Sequence, residues 1–320
     1  MTLPAAPAVI TAACFPVPGL LLRTNNTTAQ QLIRDCAQQQ STVASRLHHT
    51  LITALHRSRD TAERATAFEV AFTAAEGWRY RAAASSRHPE GRYSARWAER
   101  FRTPITDDNP NLFRIGEPAR FRDGAVWDPD TRTYQGGTET PASRTMRDFE
   151  AHANARFAQT SEGDVVRNHV ALPDGRIAEG MCLLRGRAAH QAAAEMATRI
   201  AARGGDTSRI ITDGHLIYCA TGPQADRQAI RHQAMGLLAT EHPTPAAALA
   251  AWLQAAYLLY QAPRTKRGAD AATRTFLIAA GASVLPSPPV LVHDIDLRAY
   301  VRTQDAFVAE QRAAQEDADR

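Results

Sequence analysis

Gln261-Ala262-Pro263-Arg264-Thr265-Lys266-Arg267-Gly268-Ala269-Asp270-Ala271-Ala272-Thr273-Arg274 is the stretch on which the reading of this chain turns. It joins two apolar, helix-periodic segments. Upstream, Thr244 and Pro245 supply an N-cap and a first helical position, and Leu249, Trp252, Leu253, Ala256, Tyr257 and Tyr260 follow at helical spacing. Downstream, Gly268 opens a second segment that runs through Phe276, Leu277 and Ile278 to Gly281. Arg264, Lys266, Arg267 and Arg274 against Asp270 leave three net positive charges here, while the whole chain carries +4. Cations at a helix N-terminus, where unpaired N–H groups and the positive end of the dipole gather, favour a phosphate or carboxylate. Lys266 is also the only lysine among 37 basic residues. One reading is codon bias in an Ala- and Arg-rich chain; the other is a need for a compact ammonium, as a point charge on phosphate or a titratable amine.

The bulk properties narrow the field. A chain of 320 residues, 44% hydrophobic and 22% charged, reads as one globular domain with a sizeable core. Its small net charge argues against general nucleic-acid binding, which needs a clustered basic face. Cys14, Cys36, Cys182 and Cys219 are widely spaced and make no zinc or dithiol pattern. The apolar N-terminus lacks a basic region and is broken by Pro4, Pro7, Pro16 and Pro18, so it does not read as a signal peptide. No apolar run is long enough to span a bilayer, and a cytoplasmic location is the expectation. Gly-x-Ser-x-Gly, Walker and Rossmann patterns are missing.

Along the chain, residues 1–24 read as an extended, proline-punctuated arm. Helical patterns follow at about 27–60 and 61–84, then a shorter one holding Tyr93 and Trp97. Residues 103–139 form a loop-rich insertion, with Asp123-Gly124 as a hairpin turn and Asp128-Pro129-Asp130 as another. Asp107-Asp108-Asn109 reads as a solvated loop or helix cap, with a divalent cation as the alternative. His48, His49 and His56 lack the i, i+4 spacing a metal favours. Helices are expected at 141–159, 180–202, 224–239 and 245–261, and a last one starts at Asp294 or Asp296. Hairpins are expected at 169–177, around Asp174-Gly175, and at 209–218, around Asp213-Gly214. The predicted fold is mainly α, a helical bundle with a few short β-hairpins.

An apolar helix, a compact loop with proline near its start and glycine near its end, and a basic residue one turn into the next helix resemble the core of the Fic/Doc-like (AvrB-like) superfamily. The resemblance covers 205–285. In that family the loop carries His-Pro-Phe-x-Asp/Glu-Gly-Asn-Gly-Arg, its histidine is the general base, and the glycine-rich helix start holds the phosphates of a nucleotide. The resemblance implies a transferase that attaches phosphate-bearing groups to hydroxyls, with a nucleotide and Mg as the cofactors to test. Here Ala262-Pro263 stands where His-Pro would be, Lys266 or Arg267 replaces the acid, and Gly268 and Arg274 match a loop glycine and the helix arginine.

The candidate site therefore comprises Arg264, Arg267, Gly268 and Arg274 for the phosphate, with Lys266, Asp270 and His293 for proton handling. Asp270 and Arg274, at i and i+4, also make an ordinary helical ion pair. His293, beside Asp294 and Asp296, reads either as an oriented base or as the entrance to a helix capped by acids. His215, at a turn, is a further candidate. The functional expectation is an enzyme binding a phosphorylated or nucleotide-like substrate and catalysing group transfer or phosphate elimination. The alternative is a non-catalytic binding or regulatory protein that holds an acidic partner at the same loop. The expected partner is a small anionic ligand, neither membrane nor nucleic acid.

Overall fold

Two consecutive apolar helices form the spine: α6 (Pro245–Gln261), capped by the Thr244 side chain, and α7 (Ala269–Val284), which starts after a left-handed Gly268. In a computed structural model that describes residues 9–87, 95–161 and 163–318, nine α-helices accompany six short strands among those residues. Both spine helices are buried nearly all round, because they are covered on several sides. The covering helices include α1 (Thr27–Arg57), α2 (Thr61–Ala84) and α5 (Gln224–Ala239). Phe68 and Phe72 of α2 meet Phe276 of α7 edge to face, at 6.4 and 5.1 Å between ring centroids. Local capping sets the helix starts: Asn26 accepts from Ala29 N at 2.9 Å and Asp60 from Glu63 N at 2.8 Å.

A second layer packs against this bundle. Strands β1 (Leu112–Ile115), β4 (Val165–Ala171), β5 (Ile177–Arg185) and β6 (Ile217–Ala220) form an antiparallel sheet in the order β1-β6-β5-β4. One face packs on α3 (Pro141–Ala158) through Met146, Phe149 and Phe157 against Val166, Met181, Leu183 and Cys219. The other meets α4 (Gly186–Ala201) through Ala189, Ala193 and Tyr218. A small hairpin, β2 (Val126–Asp128) with β3 (Thr133–Gln135), stands apart. The chain closes with α8 (Ile295–Val301) and α9 (Gln304–Ala318). No helix among the described residues is long and apolar enough to cross a membrane.

The mainly α architecture is as expected, with four local corrections. Residues 177–185 are strand, not the start of the helix expected from 180, because β4 and β6 take both edges of this good helix-forming sequence. Residues 209–218 are not a hairpin: β6 is already paired with β1 and β5, so 209–212 finds no free edge. Asp123-Gly124 does not join two strands; the hairpin turn is the next one, at 128–133. The last helix is two helices, since Arg302 is extended and Thr303 Oγ1 accepts from Ala306 N. Tyr93 lies outside the described residues.

Gln261, at the end of α6 and fully buried, ties the layers together. Its Oε1 accepts from Met181 N at 2.8 Å and from Asn168 Nδ2 at 3.2 Å, and its Nε2 donates to the Ala299 carbonyl. Gly180 is glycine because a side chain there would run into this amide. Gln261→Leu fills the same volume but strands the buried Met181 N–H and leaves the Ala299 carbonyl only the 3.4 Å bond from Asn168 Nδ2, so urea unfolding should show a loss of about 2–4 kcal/mol. A loss below about 1 kcal/mol would mean that water replaces the amide.

Candidate functional site

Arg274 sits one turn into α7 with only 1% of its side chain exposed. A buried guanidinium needs compensation at every N–H. Nε donates to Asp270 Oδ1 at 2.7 Å, Nη1 to the Val292 carbonyl and Nη2 to the His293 carbonyl, both at 3.0 Å. Asp296 Oδ1 lies 3.8 Å from Nη2, and the Tyr260 hydroxyl also donates to Asp270 Oδ1, at 3.1 Å. Burial opposes the charge on Arg274, but Asp270, Tyr260 and Asp296 outweigh it and hold the guanidinium ionised. One guanidinium balances one carboxylate. Burial, then the nearby Asp270, pushes the second carboxyl, Asp296, up to about 7.

The four cations of the loop do not share one site. Backbone bonds clamp the loop to 103–105, with Ile105 N donating to the Arg264 carbonyl at 2.8 Å and Lys266 N to the Thr103 carbonyl at 3.0 Å. Side chains therefore leave in different directions. Arg264 meets Glu69 at 3.0 Å and Glu76 at 3.2 Å, and Arg231 shares Glu69. This ion network lines a cleft of about 630 Å³ with Arg227 and His232. Lys266 Nζ turns to the Pro110 carbonyl at 2.7 Å. Arg274 lies beneath α7, and Arg267 acts on Arg79 of α2.

Arg79 defines the other cleft. Its guanidinium stands 4.4 Å over the Phe101 ring, and its stem packs so closely on Gly268 that a Cβ there would lie 2.8 Å from Arg79 Cγ. Gly268, at φ +74°, is glycine for conformation and for space alike. No carboxylate pairs with Arg79 among the described residues. Burial lowers its pKa; Cys36 partly offsets this, and Arg267 adds to the lowering. The cleft beside it holds about 890 Å³, between α1, α2 and the first turn of α7. Asp270, Ala271 and Arg274 supply one wall, and Phe15, Ile33 and Trp78 give apolar surface. Among the described residues, four lining arginines, at 79, 81, 87 and 274, face two aspartates, 35 and 270. The first turn of α7 has no side-chain cap, so its N–H groups at 269–271 stay available to an anion.

Other sequence candidates fall elsewhere. His293 contributes its carbonyl to Arg274, while its imidazole is 51% exposed and 3.5 Å from Asp294, away from the cleft lining. Asp294 does not cap α8; it accepts from Arg298 Nε at 2.9 Å. His215 faces Glu150 at 3.5 Å. Asp107 Oδ1 accepts from Gln224 N at 2.8 Å, so the first residue of the acidic triple bonds the start of α5. His48 is buried against Ser283. Among the described residues no group of three or more His, Cys, Asp or Glu is placed to hold a metal. The position of the Fic acid is basic here and Asp270 Oδ1 already takes two hydrogen bonds, so these residues do not fit the magnesium that the resemblance implies.

Sequence reading missed Arg79, Arg227, Tyr260 and Asp296 as site residues. A signal for the first two was present. Arg79 follows Phe68, Phe72 and Ala75 on the buried stripe of α2, and Arg227 precedes Ile230, Ala234 and Leu238 on that of α5. A charge on an apolar stripe has a fixed job.

Two measurements check the buried cluster. Arg274→Met strands Asp270 and two carbonyls and should cost about 3–5 kcal/mol in urea unfolding. Asp296, with a folded pKa above its ordinary 3.8, stabilises the fold fully below that value and loses its contribution as pH rises through about 7. Asp296→Asn, which mimics the protonated acid, should match the parent Tm near pH 3.5, exceed it increasingly between pH 4 and 7, and exceed it by several degrees at pH 8. A gap that is constant with pH would refute the assignment. No protein-family model matches this chain and no curated protein matches it significantly.

Proposed function

We propose that the protein binds a phosphorylated or nucleotide-like small molecule in the 890 Å³ cleft, phosphate against the first turn of α7 and apolar moiety toward Trp78 and Ile33. One observation carries the reading: Arg79, without a carboxylate partner, stands beside the uncapped start of a buried helix. The surplus of guanidinium over carboxylate around the cleft gives an anion a favourable field, and its partial enclosure keeps that field from being fully screened.

Asp270 gives the site a route to group transfer, in line with the Fic-like reading. Both hydrogen bonds it receives fall on Oδ1, which leaves Oδ2 without a partner among the described residues. With the carboxylate fixed by Tyr260 and Arg274, Oδ2 takes the proton from an attacking hydroxyl as its oxygen bonds to phosphorus. The P–O bond to the rest of the ligand breaks and that remainder leaves as an anion, while the α7 N–H groups and Arg79 hold the phosphoryl oxygens. A binding role without chemistry is favoured by two facts: among the described residues no histidine lines this cleft, and Lys266 Nζ is bonded to the Pro110 carbonyl and is not among the lining residues.

A thermal-shift screen of inorganic phosphate, pyrophosphate and purine and pyrimidine nucleotides tests the binding claim. At least one should raise Tm, and Arg79→Gln should weaken that ligand about tenfold or more, roughly 1.4 kcal/mol. A panel without effect, or undiminished binding in Arg79→Gln, refutes it. Consumption of the bound nucleotide that Asp270→Asn abolishes without loss of affinity marks transfer; binding with no consumption in the parent marks the regulatory reading.

A further inference from the structure

Among the described residues two arginines are buried, Arg227 and Arg274, and they are compensated differently. Arg274 has Asp270 at 2.7 Å and Asp296 at 3.8 Å. Arg227, 5% exposed on the apolar stripe of α5, has no carboxylate within 4 Å among the described residues. Its acceptors are the carbonyls of Gly222 at 3.0 Å and of Pro263 and Ile105, both at 3.1 Å. These hold the guanidinium still, but they are neutral and leave its charge whole. They also occupy only three of its five N–H donors. Asp107 acts on it from beyond ion-pair range, and that carboxylate is exposed and already accepts from Gln224 N.

The side chain is not sealed in. It lines the 630 Å³ cleft between α2 and α5, a volume within the range of small-molecule sites. The carboxylates and the other guanidiniums there answer one another. Glu69 takes Arg231 at 2.5 Å and Arg264 at 3.0 Å, and Glu76 takes Arg264 at 3.2 Å, so two acids balance two arginines. Arg227 is the remainder, a single positive charge fixed by backbone. Apolar surface lines much of the rest: Ala62, Ala65 and Val70 of α2 and Met235 of α5. Val70 is 63% exposed, so part of that surface stands open to a ligand.

We propose that this cleft binds a small amphipathic monocarboxylate, its head on the free N–H donors of Arg227 and its apolar chain along Val70 and Met235. One uncompensated guanidinium matches one carboxylate, whose two oxygens it can meet in parallel. A phosphate dianion would bring a second negative charge beside Glu69. A neutral ligand of the same shape forgoes the charge-assisted bond, and an amine meets Arg227 with like charge. The site is thus distinct in ligand class from the cleft at the start of α7.

Isothermal titration calorimetry of the intact protein with hexanoate, hexanol and hexylammonium at equal ionic strength tests this. Hexanoate should bind at least about tenfold tighter than either of the others, and inorganic phosphate at about tenfold excess should not displace it. Arg227→Gln should lose the preference for hexanoate over hexanol. Because that change also removes the carbonyl clamp, Val70→Asp at an exposed position gives a second reading: its added negative charge should weaken hexanoate about tenfold. Arg79→Gln should leave hexanoate binding unchanged, which separates this cleft from the one at α7. Hexanoate no tighter than hexanol, displacement by phosphate, undiminished binding in Val70→Asp or in folded Arg227→Gln, or loss of binding in Arg79→Gln overturns the proposal.

Discussion

The burial of Arg274 is the constraint from which the site geometry follows. A guanidinium with 1% exposure can exist there only if each of its donors is met, and the partners it recruits come from three places. Asp270 is its own helix neighbour one turn back. The carbonyls of Val292 and His293 come from the segment after α7, which is thereby pulled under the start of that helix. Asp296 comes from the first turn of α8 and shares the charge incompletely. The result is a rigid floor that fixes one carboxylate oxygen of Asp270 and leaves the other at the cleft wall.

A second constraint acts on the loop between α6 and α7. Its backbone is bonded to 103–105 on both sides of Thr265, and Arg227 donates to the Pro263 carbonyl from below. A loop held this way cannot gather its side chains around one ligand. Arg264 goes to Glu69 and Glu76, Lys266 to Pro110, and Arg274 to Asp270 and the carbonyls of 292 and 293. What looks like one basic run is therefore divided among different environments: an internal ion network, a cleft with more arginine than aspartate among its described lining residues, and a lysine bonded to a backbone carbonyl.

Much of the helical frame was legible in the sequence. Thr244-Pro245 and Thr140-Pro141 marked helix starts that the structure places at those residues, because capping is decided within one turn of chain. Helix α2 spans 61–84 as its apolar spacing indicates. The opening of α7 at Gly268 and the pairing of Asp270 with Arg274 were readable for the same reason: both are decided between residues at most four apart.

The sheet and the site's partners were not readable in that way. Residues 177–185 contain good helix formers and became strand only because two neighbouring strands, one of them about 40 residues away, offered their edges. Arg79 and Asp296 lie roughly 190 and 22 residues from Arg274 and act at the same helix start through packing alone. By itself the sequence determined where helices begin, which faces are apolar and that charge concentrates at 264–274. Tertiary structure decided which way each of those charges points and which acid answers it, since a side chain's charge partner is chosen by distance in space and local periodicity carries no record of it.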